Sequence, residues 1–241
     1  MDYQAIQVQK TPEKIGIITL NRPEKRNALS IRMRDEITSC MEAWKGDDGI
    51  GAVVFTGAGS FFSAGFDLKE FSQGDLIGEI FRSSSIYHKT VWHFPKPVIA
   101  AVNGPALGGA FDLTTLCDIR ICHSSAIFGH PEIKFGAPPL YTPLRWIIGI
   151  GMARDLCFTG RTINATEAYR IGLVSQVPDH GEDVLAQAIS AAKTILEAPL
   201  ATLDITKRYM VENSGKDFDA SFACEHDKPF ADFVKLFSPK K

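Results

Sequence analysis

The stretch that decides the fold runs from Lys96 to Glu132, KPVIAAVNGPALGGAFDLTTLCDIRICHSSAIFGHPE. It opens with an apolar run over residues 97–102, which predicts a buried strand that ends in a sharp Asn-Gly-Pro turn. Gly108 and Gly109 follow, and the apolar segment after them is typical of a helix. Glycines at the start of a helix allow another group to approach the backbone closely, and the first N–H groups of a helix lack intrahelical partners. Donors of this kind can hold a negatively charged oxygen.

Two carboxylates accompany this turn. Asp112 lies just inside the predicted helix, and Glu132 comes after two short predicted strands, 118–122 and 126–128, which the pattern favours as a pair. The two acids can converge only if the chain doubles back, which these strands would allow. The alternative is an ordinary Gly-Gly turn in which Asp112 merely interacts with the helix dipole. His130 precedes Glu132 by two residues, and because packing in the core or exposure explains it equally well, it is not counted as catalytic.

Composition limits the possible functions. The chain has 241 residues, of which 45% are hydrophobic, and a net charge of −2, so it can bury a sizeable core and has no field that attracts nucleic acid or an anionic membrane. Neither a secretory signal nor an apolar run of about 18–20 residues for a membrane span is evident. Five scattered cysteines without CxxC spacing predict neither a disulfide framework nor a metal site. We therefore expect a cytoplasmic protein.

Strands and helices alternate in the first part of the chain, and helices dominate the last part. The pattern predicts a hairpin, then a helix capped by Ser30, and a strand–helix–strand order that recurs at Pro97. It also predicts helices over 75–94, 152–158 and 165–171 and strands over 50–56 and 174–177. From these elements we expect one α/β domain, with a core over residues 1–180 and a helical C-terminal extension over residues 181–241.

Six segments of the chain resemble the crotonase superfamily, the enoyl-CoA hydratases and isomerases, and they occur in the family's order over roughly residues 4–210. They are LNRPEKRNAL (20–29), FFSAGFDLKEF (61–71), KPVIAAVNGPALGGAFDL (96–113), CDIRIC (117–122), FGHPEIKFG (128–136) and FTGRTINATEAYRIGLV (158–174). The resemblance implies a ββα spiral with a helical C-terminal trimerisation region. It also implies acyl-CoA thioester substrates and a homotrimer or a dimer of trimers.

The resemblance also implies roles for individual residues. The oxyanion hole of the family falls on the backbone N–H groups of Phe66 and Gly109, and its two acids fall on Asp112 and Glu132. Asp67 is expected to fix the loop that holds the coenzyme. Lys25 and Arg26 match a segment along the CoA nucleotide, although a simple solvated loop would explain them too. The expected substrate-binding residues are Lys25, Arg26, Ala28, Ala64, Phe66, Asp67, Leu68, Gly109, Leu140 and Tyr141.

Three departures from the family pattern affect the expected function. Asp112 is one methylene shorter than the glutamate of hydratases, as in dienoyl-CoA isomerases, but Leu140 stands where those enzymes carry a further aspartate. Residues 139–143, PLYTP, replace a glycine-rich run, so we expect a reshaped acyl pocket. The sequence ends at Lys241, before the last helix usual in the family, and we expect this to affect the cover over the CoA site.

The sequence thus predicts an enoyl-CoA hydratase, in which Asp112 and Glu132 handle the water and its protons. One alternative is a double-bond isomerase in which Glu132 alone moves the proton. Another is a non-catalytic acyl-CoA-binding scaffold. No cofactor is expected beyond the coenzyme A of the substrate, and no nucleic-acid or membrane partner.

Overall fold

The computed structural model describes residues 2–179, 182–213 and 215, and the elements below lie within them. The strands are β1 Ile6–Lys10, β2 Ile15–Leu20, β3 Ala52–Gly57, β4 Val98–Val102, β5 Ala106–Leu107, β6 Ile119–Cys122, β7 Ile127–Gly129 and β8 Thr162–Asn164. The α-helices are α1 Ile31–Lys45, α2 Leu68–Phe71, α3 Ile77–Trp92, α4 Gly109–Leu116, α5 Tyr141–Thr159, α6 Ala165–Arg170, α7 Val184–Ile195 and α8 Leu200–Glu212.

The main sheet has the strand order β1-β2-β3-β4-β6, in which β1 is antiparallel to β2 and the other pairs are parallel. Both of its faces are covered, as continuous apolar strands such as β4, VIAAV, require. On one face, Val53 and Phe55 pack in the core cluster that contains the apolar side of α1. On the other face, Val54 packs in a second cluster with Ala188 and Ala192 of α7.

A smaller sheet of order β5-β7-β8 positions the functional residues. Its strands β5 and β7 are parallel, with Ala106 opposite Phe128 and Leu107 opposite Gly129. The sequence-based pairing of 118–122 with 126–128 is therefore wrong, because β6 joins β4 in the main sheet whereas β7 joins β5 and β8. The four residues between β6 and β7 carry the chain from one sheet to the other instead of closing a hairpin.

Several predicted helices are confirmed, with shifted boundaries. Ser30 caps α1 by accepting a hydrogen bond from the Met33 N–H. The helix predicted over 152–158 is part of the longer α5, which begins at Tyr141 and is interrupted at Gly149, where φ is 78° and ψ is 161°. The expected strand over 174–177 is wrong, since Gln176 makes only one isolated bridge, to Ile121.

The last described helices, α7 and α8, fall in the predicted helical region. The division of the chain at residue 180 stays a prediction, and Gly181 and all residues after 215 lie outside the described part. Within the described ranges, no helix is both long enough and apolar enough to cross a membrane.

Candidate active site

A loop that approaches the glycine turn lines one side of the site. The Ser63 N–H donates to the Pro105 carbonyl at 3.1 Å, and the Leu107 N–H donates to the Ser63 carbonyl at 3.2 Å. Gly65 follows with φ of 90°, and a Cβ there would lie 2.6 Å from the Leu107 carbonyl oxygen. Only glycine fits this approach of two backbones. The loop therefore places the next residue, Phe66, beside the start of α4.

Two backbone N–H groups are left available at this point. Gly109 is the first residue of α4, so its N–H has no acceptor within the helix. Within the described residues, neither this group nor the Phe66 N–H donates a hydrogen bond. A Cβ on Gly109 would lie only 2.6 Å from Cε1 of Phe66, so the Phe66 ring packs directly on this glycine. Two neighbouring free donors are the arrangement that stabilises a developing oxyanion.

Gly108 explains how the second acid reaches the same turn. Its backbone, at φ 55° and ψ −130°, has a conformation that favours glycine. Its N–H donates to the Gly129 carbonyl at 2.9 Å, which continues the pairing of β5 with β7 beyond the strands. A Cβ on Gly108 would lie 3.1 Å from Oε2 of Glu132, so this carboxylate lies directly over the turn.

Both acids come after the carboxyl ends of parallel neighbours, Asp112 after β5 and Glu132 after β7, and they meet at one imidazole. The Nδ1 atom of His130 lies 2.9 Å from Oε1 of Glu132 and 3.7 Å from Oδ1 of Asp112. The His130 side chain is fully buried, and its ring centroid lies 4.6 Å from that of Phe111. The structure thus brings Asp112 and Glu132, the two acids that the sequence analysis selected, together around His130. The sequence analysis had not counted this histidine as catalytic.

Burial sets the electrostatics of this group. Asp112 is only 8% exposed, and its removal from water, together with the negative charge of Glu132, raises its pKa to about 7 against the opposing effects of His130 and the Leu140 backbone N–H. Three buried atoms of the group have no hydrogen-bond partner in the described residues: Asp112 Oδ1, His130 Nε2 and Glu132 Oε2. Because unpaired buried polar atoms destabilise a fold, their concentration here indicates a site for substrate or water.

Asp67 fastens the loop next to this group. Its Oδ1 accepts from the Lys69 N–H at 3.2 Å and caps α2, while its Oδ2 accepts from Nη1 of Arg22 at 3.0 Å. Leu68 is 77% exposed at the start of the same helix. The aspartate therefore holds the loop through contacts within the protein and leaves Leu68 at the surface.

Two loops carry the predicted coenzyme-binding residues, one at 25–28 and the other at 64–68, and they lie side by side. The Ala64 N–H donates to the Arg26 carbonyl at 2.9 Å, and the half-buried Ala28 accepts from Arg22 through its carbonyl at 2.8 Å. Lys25 and Arg26 are exposed, and the Arg26 guanidinium lies 5.5 Å from the Phe61 ring centroid. The two loops thus form one continuous rim with basic side chains at its outer edge.

Leu140 and Tyr141 form the start of α5, where the Leu140 backbone N–H interacts with Asp112. Leu140 is at the N-cap position, and both residues are half-buried against the core. The Arg145 guanidinium lies 5.7 Å from the Tyr141 ring centroid. These side chains occupy the place where the resemblance led us to expect a glycine-rich run.

Sequence reasoning missed Arg34, whose guanidinium packs on the Phe66 ring. This fully buried arginine donates to the Leu29 carbonyl at 2.6 Å and to Oγ of Ser83 at 3.2 Å, and its guanidinium lies 4.7 Å from the Phe66 ring centroid. Its signal was a cation placed three residues before the buried Ile37, on the apolar side of α1. The signal for His130 was its position between two acids that were themselves expected to converge.

Across residues 2–179, 182–213 and 215, no group of three or more His, Cys, Asp or Glu side chains has an arrangement that could hold a metal ion.

The chain is similar to known proteins over most of its length. The family model described as enoyl-CoA hydratase/isomerase matches residues 10–233. A probable enoyl-CoA hydratase of Mycobacterium tuberculosis is 38% identical over 210 residues, which cover 86% of this chain and 81% of the relative. A crotonyl-CoA hydratase of Syntrophomonas wolfei is 35% identical over 234 residues, which cover 94% of this chain and 89% of the relative.

Solved structures confirm the predicted crotonase-like α/β fold. The crystal structure of an enoyl-CoA hydratase from Bacillus anthracis has a TM-score of 0.89 at 31% identity, and the match covers 96% of this chain and 92% of that one. Pseudomonas aeruginosa DspI has a TM-score of 0.90 at 29% identity, over 99% of this chain and 98% of that one. With the fold, the family model and the curated relatives in agreement over most of its length, the chain belongs to the enoyl-CoA hydratase/isomerase family.

Proposed function

We propose that this protein is an enoyl-CoA hydratase that adds water across the double bond of a 2-enoyl-CoA thioester. One observation carries the proposal: two carboxyl groups and two free backbone N–H groups surround a single glycine turn. Acids that share a buried site with oxyanion donors are suited to reactions that pass through an enolate. The family acts on acyl-CoA thioesters, and relatives named as hydratases at 35–38% identity support the choice.

In the proposed reaction, the thioester oxygen accepts hydrogen bonds from the Phe66 and Gly109 N–H groups. Oε2 of Glu132 takes a proton from a water molecule while the water oxygen bonds to C3, and the electron pair of the double bond moves onto the thioester as an enolate. The Asp112 carboxyl, whose pKa of about 7 keeps a protonated form available at neutral pH, then delivers a proton to C2. Transfer of the proton from Glu132 to the Asp112 carboxylate restores both acids for the next turnover. Each donor or acid thereby faces the atom on which charge develops.

The rim formed by the two loops suits the coenzyme end of such a substrate. In the proposed complex, Lys25 and Arg26 lie along the CoA phosphates, and Ala64 and Leu68 contact its adenine and pantetheine. The exposure of both basic side chains at the edge of the rim supports this placement. Coenzyme A belongs to the substrate, and no separate cofactor is proposed.

A double-bond isomerase is the second candidate. The observation that favours it is the burial of Asp112, since a dry, protonated acid disfavours the binding of a reacting water. In this case Glu132 alone would move a proton between two carbons. A dienoyl-CoA isomerase is less favoured, because the apolar Leu140 stands at the position of that group's third acid.

Product analysis by mass spectrometry in heavy water separates these activities, using a panel of 2-enoyl-, 3-enoyl- and dienoyl-CoA thioesters. A hydratase forms a product heavier by one water, whereas an isomerase incorporates deuterium or shifts the double bond without that gain. Glu132→Gln and Asp112→Asn should each lower kcat by about 10²–10⁴-fold. The exposed Glu42→Gln variant serves as the control. Binding without turnover of any thioester would contradict the proposal and favour a scaffold.

We also propose that the chain assembles as a homotrimer or a dimer of trimers in the cytoplasm. Two large apolar side chains, Phe135 and Phe158, are 83% and 80% exposed, which supports burial in an assembly. Cys40, Cys117, Cys122 and Cys157 are buried free thiols, which supports a reducing compartment. Sedimentation analysis should show a trimer or hexamer, and Phe158→Asp should shift it toward the monomer. An unchanged distribution would place the interface elsewhere.

A further inference from the structure

The imidazole of His130 has a defined hydrogen-bonding task. Its Nδ1 atom lies 2.9 Å from Oε1 of Glu132, and an ionised carboxylate can only accept hydrogen bonds, so Nδ1 must carry the proton. The Phe111 ring lies beside it, with its centroid 4.6 Å from that of the imidazole, and the centroid of the Phe128 ring in turn lies 5.7 Å from that of Phe111. Nε2 is buried without a partner in the described residues, which fits an unprotonated nitrogen better than an N–H.

The two carboxylate oxygens of Glu132 therefore have different surroundings. Oε1 is occupied by His130, whereas Oε2 has no partner in the described part of the chain and lies over Gly108. Gly108 immediately precedes the free N–H of Gly109. The carboxylate therefore keeps one oxygen fixed and turns the other toward the place where the thioester would lie.

We propose that His130 is a positioning residue for the proposed reaction: its Nδ1–H holds Oε1 of Glu132 so that Oε2 alone meets the reacting water or carbon. The imidazole keeps its proton throughout the cycle, since Glu132 takes up and returns protons through Oε2. The inference rests on the proposed function for its role in catalysis, but the hydrogen bond itself exists in the resting protein. The titratable groups that face this arrangement are Asp112 from α4, Glu132 on the same turn and the Cys157 thiol from α5. Burial raises the pKa of this thiol, and the charges of the two carboxyls raise it further.

Two substitutions separate the hydrogen bond from the volume of the ring. His130→Asn keeps an N–H donor close to the place of Nδ1, whereas His130→Leu fills the site without a donor. Because misplacement of a reacting group by about 1 Å costs about 10²-fold, we expect His130→Leu to lower kcat by about 10²-fold with KM nearly unchanged. His130→Asn should recover most of that loss. The carboxylate form of Glu132 loses a hydrogen bond in His130→Leu, so the acid side of its pH–rate profile should move upward by about one unit.

His123 provides the matched control, because it lies in the connection after β6 and its Nδ1 contacts only the nearby Ser125. His123→Leu should leave kcat and the pH profile unchanged. Equal losses in His130→Asn and His130→Leu, with both folded as judged by circular dichroism, would overturn the proposal. An unshifted pH profile in His130→Leu would overturn it as well.

A measurement without substrate tests the hydrogen bond independently of the reaction. Nitrogen-15 NMR of the wild-type protein distinguishes the two neutral tautomers of each histidine, and His130→Asn assigns the signal. We expect the proton on Nδ1 and a signal that changes in Glu132→Gln. A proton on Nε2 would overturn the inference even if the enzyme hydrates enoyl-CoA. Conversely, an Nδ1–H in a protein that turns over no thioester would refute the proposed function and leave the hydrogen bond established.

Discussion

The two ends of α4 bury polar groups in opposite ways. At the C-terminal end, Arg120 donates hydrogen bonds to the backbone carbonyl groups around it. Its guanidinium donates to Thr114 at 3.2 Å, to Cys117 at 2.6 Å and to Leu173 at 2.7 Å. A cation is favoured here by the helix dipole as well. This end of the helix is fully paired.

At the N-terminal end of α4, two polar groups have no hydrogen-bond partner in the described residues. The Gly109 N–H finds no acceptor and Asp112 Oδ1 finds no donor in the described residues. The first and last residues of the helix, Gly109 and Leu116, are both buried, so exposure of the helix itself does not distinguish its ends. The difference teaches that burial of charge alone does not indicate a functional site, whereas buried polar atoms left without partners beside one another do.

The largest expected effect is at the unpaired end. In Gly109→Ala the new Cβ would collide with the Phe66 ring at 2.6 Å and separate the two N–H donors, so kcat/KM should fall by about 10²–10³-fold. Steady-state kinetics measures this. Gly78→Ala in α3 meets nothing within 4 Å and is the control, with unchanged activity. Activity within threefold of wild type in Gly109→Ala would remove the basis for calling this end of the helix functional.

A substitution at the C-terminal end of α4 should lower the stability of the protein and leave its activity nearly unchanged. Arg120→Met leaves several carbonyls without their donor, and we expect the free energy of unfolding to fall by about 3 kcal/mol, since each unpaired buried group costs about 1–3 kcal/mol. The folded fraction should keep its kcat within about twofold. Urea denaturation and kinetics on the same sample give both values. A large loss of kcat at unchanged stability would mean that the C-terminal end of α4, too, has a role in function.

A smaller effect, dependent on pH, is expected from Asp112. An unfolded chain releases this proton near pH 4 and the folded protein near pH 7, so between these values the folded state binds more protons and loses stability as pH rises. Asp112→Asn removes this loss. The stability of the variant should therefore increase relative to wild type between pH 5 and pH 8, by on the order of 2 kcal/mol.

Urea denaturation at pH 5 and pH 8 measures this gain, with the exposed Asp75→Asn as the control. A gain that is the same at both pH values would mean that Asp112 is not the group whose pKa is raised.

The smallest effect is expected next to the paired end. Lys207 forms an ion pair with Oδ1 of Asp118, whose Oδ2 accepts from the Val98 N–H at 2.8 Å. Because Asp118 is about one-quarter exposed and keeps its backbone partner, Lys207→Met should cost only about 1 kcal/mol. Thermal unfolding at low and high salt should show the difference shrinking as salt rises. A loss as large as that of Arg120→Met would show that this pair, too, is essential to the paired end.

Local signals predicted the parts of the site that depend on local chemistry. The glycine turn and the Ser30 cap follow from residue types at short spacing. The family resemblance assigned the two acids and named Phe66 as the second N–H donor. What these signals could not supply was the assignment of strands to sheets. Strands β6 and β7 are close in sequence, yet each finds its partner elsewhere, because the choice depends on which apolar face is buried against distant elements.

The side chains that sequence reasoning left out share one physical property. Arg34 and His130 are polar groups at buried positions, and composition and periodicity treat such residues as exposed. Their burial depends on partners that are remote in the chain or only become close on folding, such as Ser83 for Arg34 and Asp112 for His130. Individual contacts of this kind follow from the fold and not from spacing.

The two acids follow neighbouring parallel strands, β5 and β7, that are joined by backbone hydrogen bonds, with Asp112 in the first turns of α4 and Glu132 in the turn after β7. Neighbouring strands in any sheet lie about 4.8 Å apart, whatever their side chains. The strand pairing therefore fixes how far apart the two acid-bearing segments begin. Substitutions in residues 139–143 would alter which substrate is accepted while this spacing is preserved.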